Sequence, residues 1–188
     1  MAADIRELTR DVVRTRLAEA AFNYFLANGF AESTAEEAAL AAGVSRATFF
    51  RYFRSKDDAV IVAMQSTDLD YATLLRSSDL RDGSPWSHLR RAFEPAVVAA
   101  DAEPERSLAK ARMITSIPSL RAHLTERRAA QEKRLADALA NGLGDDLRAK
   151  VLAATAIASF DLAWRESAAS GTSLRECLDR VFEVLAGR

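Results

Sequence analysis

Cysteine occurs once in the 188 residues, histidine twice, proline four times and glycine seven times. A single cysteine, Cys177, excludes an intrachain disulfide and a cysteine-based zinc site, and reads as a small core residue. The histidines, His88 and His123, do not stand in a metal-ligand spacing such as His-x3-His, so no metal is expected. Glycine-rich phosphate loops and nucleophile motifs are missing, so no catalytic activity or cofactor is expected. The acid pairs Glu36-Glu37 and Asp145-Asp146 read as helix-start charges. No apolar run approaches the ~20 residues of a transmembrane helix. The stretch Met1 to Arg10 has no apolar core of the secretory type, which leads to the expectation of a cytoplasmic protein without a membrane partner. Sustained apolar/polar alternation is absent as well, so no strand is expected.

What is present is helix-forming and ordinary for a globular chain: 49% hydrophobic and 28% charged residues, with a net charge of −1. The charge is unevenly placed. Between Gly43 and Lys56 stand Arg46, Arg51, Arg54 and Lys56 with no acid, and Asp57 and Asp58 follow. A local basic footprint on a neutral chain suits a small anionic-polymer contact on a larger body.

Periodicity and caps divide the chain into about nine helices. Val13, Leu17, Ala20, Ala21, Tyr24 and Phe25 give one apolar face to a helix from Ile5 to Asn28, which Gly29 ends. Thr34 and Glu37 form a capping box for a short helix that Gly43 breaks. Ser45 caps a third helix to about Tyr52, and Ser55 with Asp58 opens a fourth. Asp82-Gly83-Ser84-Pro85 is a turn. Pro104 opens another helix. Ile117-Pro118 marks a boundary before a long polar-faced helix from Ser119 to about Leu139, with Asn141-Gly142 and Gly144 as its stop. Asp145 to Ala169 is alanine-rich, and Ser173 to Leu185 is the last helix.

A short helix, a glycine turn and a second short helix make a helix-turn-helix. Alanines at 38, 39, 41 and 42 allow close helix approach. Val44 and Phe49 have the spacing to anchor the second helix inward, which turns Arg46, Ala47, Thr48 and Arg51 outward. Phe30, Phe49 and Phe53 read as core. Arg6 and Arg10 read either as a solvated terminus or as an arm to the minor groove.

The run from Phe25 through Gly29-Phe30, Thr34, Glu37, Ala39, Ala42-Gly43-Val44-Ser45, Thr48-Phe49-Phe50, Tyr52-Phe53 and Ser55-Lys56-Asp57 resembles the DNA-binding segment of the TetR family of repressors. The likeness covers about the first 60 residues. It implies a homodimer of all-α subunits, with a helix-turn-helix domain over 1–55 and a ligand-binding and dimerisation domain over 56–188. It also implies a sequence-specific regulator, released from a pseudo-palindromic double-stranded operator by a small molecule. Position by position, Arg46 and Thr48 resemble the residues that reach base edges, and arginine can hold guanine bidentately. Ala47 replaces the usual glycine. Phe50 replaces a tyrosine whose hydroxyl meets phosphate, so its contact becomes apolar. Thr34, Ser45, Arg51, Tyr52 and Lys56 complete the implied DNA contacts, with Lys56 on phosphate at a helix start.

In the second domain, Trp86, Phe93, Met113, Ile117, Phe160 and Trp164 are candidate ligand-binding residues. Arg112, His123, Asp161 and Arg165 are candidate polar partners. Ordinary core packing is the alternative for each. The segment from Ala109 to Arg121 and the polar helix beyond it resemble the subgroup proposed to bind acyl-CoA-like ligands. Leu147, Val151, Ala154, Ile157, Ala158 and Leu162 repeat at helical spacing, as do Leu174, Leu178, Val181, Phe182 and Leu185. Two such hairpins would form an intersubunit four-helix bundle. Val151, Ala154, Ala158, Leu178, Val181 and Phe182 are the expected interface; the alternative is that these faces seal the subunit core.

Overall fold

Good helix formers dominate the chain, and the computed structural model is helical wherever a run of them is uninterrupted. It describes residues 2–66, 69–76, 80 and 83–187, with the side chains of 2–6 and 66 also outside the description. Among these residues there are eleven α-helices and no strand. They are α1 (Ala2–Asn28), α2 (Ala35–Ala41), α3 (Arg46–Tyr52), α4 (Lys56–Ser66), α5 (Tyr71–Arg76), α6 (Pro85–Ala92), α7 (Glu94–Ala102), α8 (Pro104–Ser116), α9 (Pro118–Leu143), α10 (Asp146–Ser170) and α11 (Leu174–Leu185). The all-α expectation holds. The number exceeds nine because the described part of 71–102 holds three short helices, α5, α6 and α7. Asp82 of the expected turn lies outside the described residues, but Ser84 accepts from the Trp86 amide and Pro85 takes the first helical position. Phe93 both ends α6 and begins α7 without a side-chain cap. Its ring is fully buried, so core packing sets this junction.

One expected stop is misplaced. Gly142 does not end α9, which runs on to Leu143. A Cβ there would come within 2.4 Å of Leu80 Cδ1, so Gly142 serves close packing. Gly144, at φ +70°, is the residue that needs the left-handed conformation. No described helix is long and apolar enough to cross a membrane.

By packing, the chain forms two units: Met1–Asp68 with Thr115–Arg121, and Leu69–Ile114 with Ala122–Arg188. In the first, α1 packs on α2 and α4, and α2 on α3. Its core contains Leu17, Ala18, Ala21, Phe22 and Phe25 of α1, Ala38 and Ala39 of α2, Phe49 and Phe53, and Ala59, Val60 and Met64 of α4. α4 therefore stays with the helices before it, although the sequence division lies at residue 55. Arg6 lies outside the described side chains.

The second unit is built round an aromatic stack. Phe93 and Phe160 lie face to face at 4.4 Å, and Tyr71 meets both edge-on. The small residues Ala149, Ala153, Ala156 and Ala163 of α10 are all buried in the same core. An ion network ties α6, α7 and α11. Arg90 bridges Glu94 at 2.8 Å and Asp179 at 2.5 Å, while Arg175 bridges Glu94 at 2.7 Å and Asp101 at 2.9 Å.

Burial alone would raise the Glu94 carboxyl, but hydrogen bonds from Arg175 and Arg90, and their charges, outweigh it and leave it below the ordinary glutamate value. A carboxyl depressed in the folded state contributes stability above its unfolded pKa, and loses it as pH falls through the folded value. Glu94→Gln is therefore expected to lower the melting temperature by a few degrees at neutral pH. The difference should vanish in acid, once pH falls below the lowered folded value of this carboxyl. Thermal melts of both proteins across pH check this; a gap that persists in acid would assign the loss to packing.

Candidate nucleic-acid interface

Local chemistry explains why α2 and α3 begin and end where they do. At the α2 start, Thr34 Oγ1 accepts from the Glu37 amide at 3.2 Å, and Glu37 accepts from the Thr34 amide at 2.8 Å. The Thr34 backbone and side-chain bonds hold the Glu37 carboxyl below its usual value. At the α2 end, Gly43 adopts φ +76°. Its amide donates to Leu40 O, and the Val44 amide to Ala39 O, which is the Schellman pattern. Only glycine takes that conformation at low cost, so the turn between the two helices is set by this residue. Ser45 then caps α3 by accepting from the Thr48 amide at 3.2 Å.

Phe49, at 0% exposure, points α3 at the core, and its ring lies 4.9 Å from that of Phe53. The opposite face is thereby free. Arg46, Ala47, Phe50 and Arg51 are exposed, Thr48 and Tyr52 half-buried. The Phe50 ring, 44% exposed, has the Arg46 guanidinium over it at 5.6 Å. Such a contact steers the arginine head without consuming its hydrogen-bond donors. Arg51 lies likewise over Tyr52 at 5.4 Å. Thr48 Oγ1 accepts from the Ser45 hydroxyl at 3.1 Å, which leaves the threonine proton for another acceptor. Beside this face a groove of about 300 Å³ is lined by Arg10, Arg51 and Arg54, offset by Glu7, Asp11 and Asp58.

Two expected DNA contacts are differently engaged. Thr34 Oγ1 also donates to Glu37 at 2.9 Å, so its proton stays inside the capping box. Lys56 is the larger correction. Its ammonium does not face outward at the α4 start; it donates to Phe30 O at 2.6 Å and to Ser33 O at 3.1 Å. The next two residues are also tied within this unit. Asp57 accepts from the Ser119 hydroxyl, and Asp58 accepts from the Arg54 amide at 2.9 Å and pairs with Arg14 at 3.6 Å. The Ser55–Asp58 pair is thus half of the expected box: Ser55 Oγ accepts from the Asp58 amide, but the Asp58 carboxylate reaches Arg54.

The candidate ligand residues divide. Phe93, Phe160, Trp86 and Trp164 gather in the second unit, Trp164 against Phe160 and Trp86 against Phe182. Met113 is buried but outside that main cluster. Ile117 belongs to the first unit, because residues 115–121 pack with the helix-turn-helix. Of the polar candidates, Asp161 is at the stack. It pairs at 2.6 Å with Arg128, whose guanidinium lies 4.8 Å over the Phe160 ring. Arg128 also donates to the buried Gln131. Arg128 and Gln131 escaped sequence reasoning, since on a charged helix nothing in the spacing distinguishes them from solvated residues. Arg112 donates to Ala168 O at 3.3 Å, and Arg165 is exposed. His123 Nε2 is buried.

The expected interface residues divide as well. Leu178 and Phe182 are buried in their own subunit at 0% and 5% exposure and offer a partner no surface; Val181 is half-buried. Ile157, of the same repeat, is also core. Leu147, Val151, Ala158 and Leu162 are exposed and Ala154 half-buried, forming an apolar stripe along α10.

Residues 17–61 match the family described as bacterial regulatory proteins, tetR family, and residues 83–188 match the MftR C-terminal domain. The HTH-type transcriptional regulator TcmR of Streptomyces glaucescens is 30% identical over 148 residues, which are 76% of this chain and 64% of that protein. The chain thus spans just under two thirds of the length of that relative. Among solved structures, the transcriptional regulator FadR of Bacillus subtilis, in complex with stearoyl-CoA, superposes with a TM-score of 0.65 at 17% identity, covering 90% of this chain and 96% of the other. That likeness is one of fold. The Thermus thermophilus repressor FadR, in complex with lauroyl-CoA, gives a TM-score of 0.51 at 26% identity, covering 92% and 93%.

Proposed function

The chain belongs to the TetR family of bacterial regulatory proteins, and from that premise we propose that it is a dimeric repressor that leaves its operator when a small amphipathic ligand binds. The observation that carries the reading is the free face of α3: Arg46, Ala47, Phe50 and Arg51 turned away from the Phe49 anchor, in a stretch without acids. Arginine supplies the bidentate donor that distinguishes guanine. The exposed Phe50 ring supplies an apolar contact of the kind a thymine methyl or a sugar accepts. On this reading the chain is a binding protein and not an enzyme, acts in the cytoplasm and needs no cofactor.

The α10 stripe supports self-association: its apolar residues recur every third or fourth position, and Leu147, Val151, Ala158 and Leu162 are exposed. A two-fold dimer carries two copies of α3 and reads a pseudo-palindrome. For the ligand, the half-buried Trp164 at the edge of the Phe160 stack, with the Arg128–Asp161 pair nearby, offers apolar surface and polar groups of the mix that an acyl thioester requires. The lauroyl-CoA held by the Thermus thermophilus relative points to the same class.

The test is binding to duplex selected from a random pool. Wild-type affinity should fall steeply with salt. Arg46→Ala should weaken the selected duplex by about 1–3 kcal/mol per half-site and relax the preference at one base position in each half-site. An unchanged selected sequence would remove Arg46 from base reading. Lauroyl-CoA should raise the melting temperature and lower DNA affinity, and both effects must arise together because the coupling is reciprocal.

A further inference from the structure

Lys56 stands at the first residue of α4, where the DNA-binding reading would use it on a phosphate. We propose instead that Lys56 is a positioning residue: an internal clamp that fixes the turn before α2 and so sets how α3 meets DNA. The inference rests on the DNA-binding reading for its consequence, and on the geometry of the turn for its substance.

The chain leaves α1 at Asn28 and enters α2 at Ala35, so several backbone carbonyls in between fall outside helical pairing. Gly29 O accepts from the Ser33 hydroxyl at 2.6 Å. Phe30 O and Ser33 O converge on Lys56 Nζ, at 2.6 and 3.1 Å. The same ammonium lies 4.3 Å from the centre of the Phe30 ring, whose edge-to-face partner is the buried Phe25. An ammonium has three N–H groups and no acceptor. Two point at carbonyls and the remaining side of the cation rests against a ring face, an arrangement that stabilises the charge away from water.

The clamp closes a long loop. Lys56 is 26 residues from Phe30 and 23 from Ser33, and α2, its glycine turn and α3 all lie between. Holding Ser33 O holds the residue before the Thr34 cap, which starts α2. α2 packs on α3, with Ala38 and Ala39 fully buried. A loosened turn would let α2 shift, and α3 with it.

A phosphate contact and an internal clamp differ in what their loss does. Removing a phosphate contact weakens binding alike on all sequences and lowers the salt slope by about 0.9 per contact. Removing a clamp leaves the slope unchanged but lowers discrimination, because only the specific complex needs α3 in register. The experiment uses the full chain as wild type, Lys56→Met and Lys56→Arg, with the selected duplex and an unrelated duplex of equal length titrated across a range of salt. Amide hydrogen exchange is followed on the free proteins. For Lys56→Met we expect about a tenfold loss on the selected duplex, less than about a twofold loss on the unrelated one, and an unaltered salt slope. Amides of residues 33–37 should exchange faster while the α4 core does not. Lys56→Arg should not restore discrimination, since a planar guanidinium fork does not reproduce a compact ammonium that donates to two carbonyls and rests on a ring, whereas a phosphate contact would accept it.

A salt slope lowered by about one per bound subunit, with equal loss on both duplexes and rescue by arginine, would overturn the clamp. A merely general loss of folding would lower both affinities in proportion and speed exchange throughout, and would also overturn it. Should wild type show no salt-dependent duplex binding, the DNA-binding reading fails; exchange at 33–37 in Lys56→Met then decides the clamp by itself, faster exchange there supporting it and unchanged exchange rejecting it.

Discussion

Val151→Glu is expected to convert the proposed dimer to a monomer and to lower operator affinity by at least about a hundredfold. Val151 is 57% exposed in the single subunit, so a glutamate there meets water and costs the subunit little. In an apolar interface the same carboxylate is buried without a partner. By two-fold symmetry it occurs twice, each burial costing several kcal/mol. About 2.8 kcal/mol corresponds to a hundredfold change, so loss of the dimer is the natural outcome. A monomer presents one copy of α3 and loses the gain from joining two half-sites. Sedimentation and duplex titration check both parts, and an unchanged far-ultraviolet spectrum shows that the subunit is intact. A variant that stays dimeric with wild-type affinity would move the interface away from the α10 stripe. Leu178→Glu would not serve, because Leu178 is core and its replacement would unfold the subunit before testing any interface.

Phe160→Ala is expected to cost about 3–5 kcal/mol of stability and roughly 10 °C in melting temperature. The ring is 1% exposed and is engaged on every side that the fold offers. Phe93 stacks on its face, Tyr71 and Trp164 meet it edge-on, and Arg128 lies over it. Truncation removes the transfer energy of the ring and leaves a cavity between helices α6 and α10, whose backbones cannot close the gap without moving. Phe160→Leu should lose much less, since most of the volume is kept. Denaturant melts of both variants decide this. A loss under about 1 kcal/mol for the alanine variant would mean that the neighbours collapse into the space, and that the stack is not the centre of its unit.

Much of the helix-turn-helix was legible in the sequence because its determinants are local. Thr34 and Glu37 lie three residues apart and must meet if a helix starts there. Gly43 is the residue type a left-handed turn selects, and Phe49 with the residues around it divides α3 into an inner and an outer face by helical spacing alone. Ser45, Asp145 and Ser173 cap their helices as their types suggest. The exposure of Arg46, Ala47 and Arg51 follows from the same arithmetic, whereas Thr48, also expected outward, is half-buried.

What failed to appear in the sequence involves partners distant along the chain. Arg90 finds Asp179 across 89 residues, and Arg175 finds Glu94 across 81. No periodicity carries that information. Apolar spacing on α11 is identical whether a residue faces a partner or its own core, and only packing shows that Leu178 and Phe182 are inside while Val151 and Ala158 are out. Gly142 looks like a helix stop until Leu80 is seen against it.

The division therefore follows range. By itself the sequence determined the all-α class, the caps, the turn at Gly43 and the outward face of α3, because helix geometry converts short spacings into faces and ends. Only the tertiary structure decided that Lys56 turns inward to Phe30 O and Ser33 O, that residues 115–121 join the first unit, and which apolar helix face stays exposed. Each of these depends on which distant groups leave a carbonyl, a carboxylate or an apolar surface unsatisfied, and that is settled only when the helices pack.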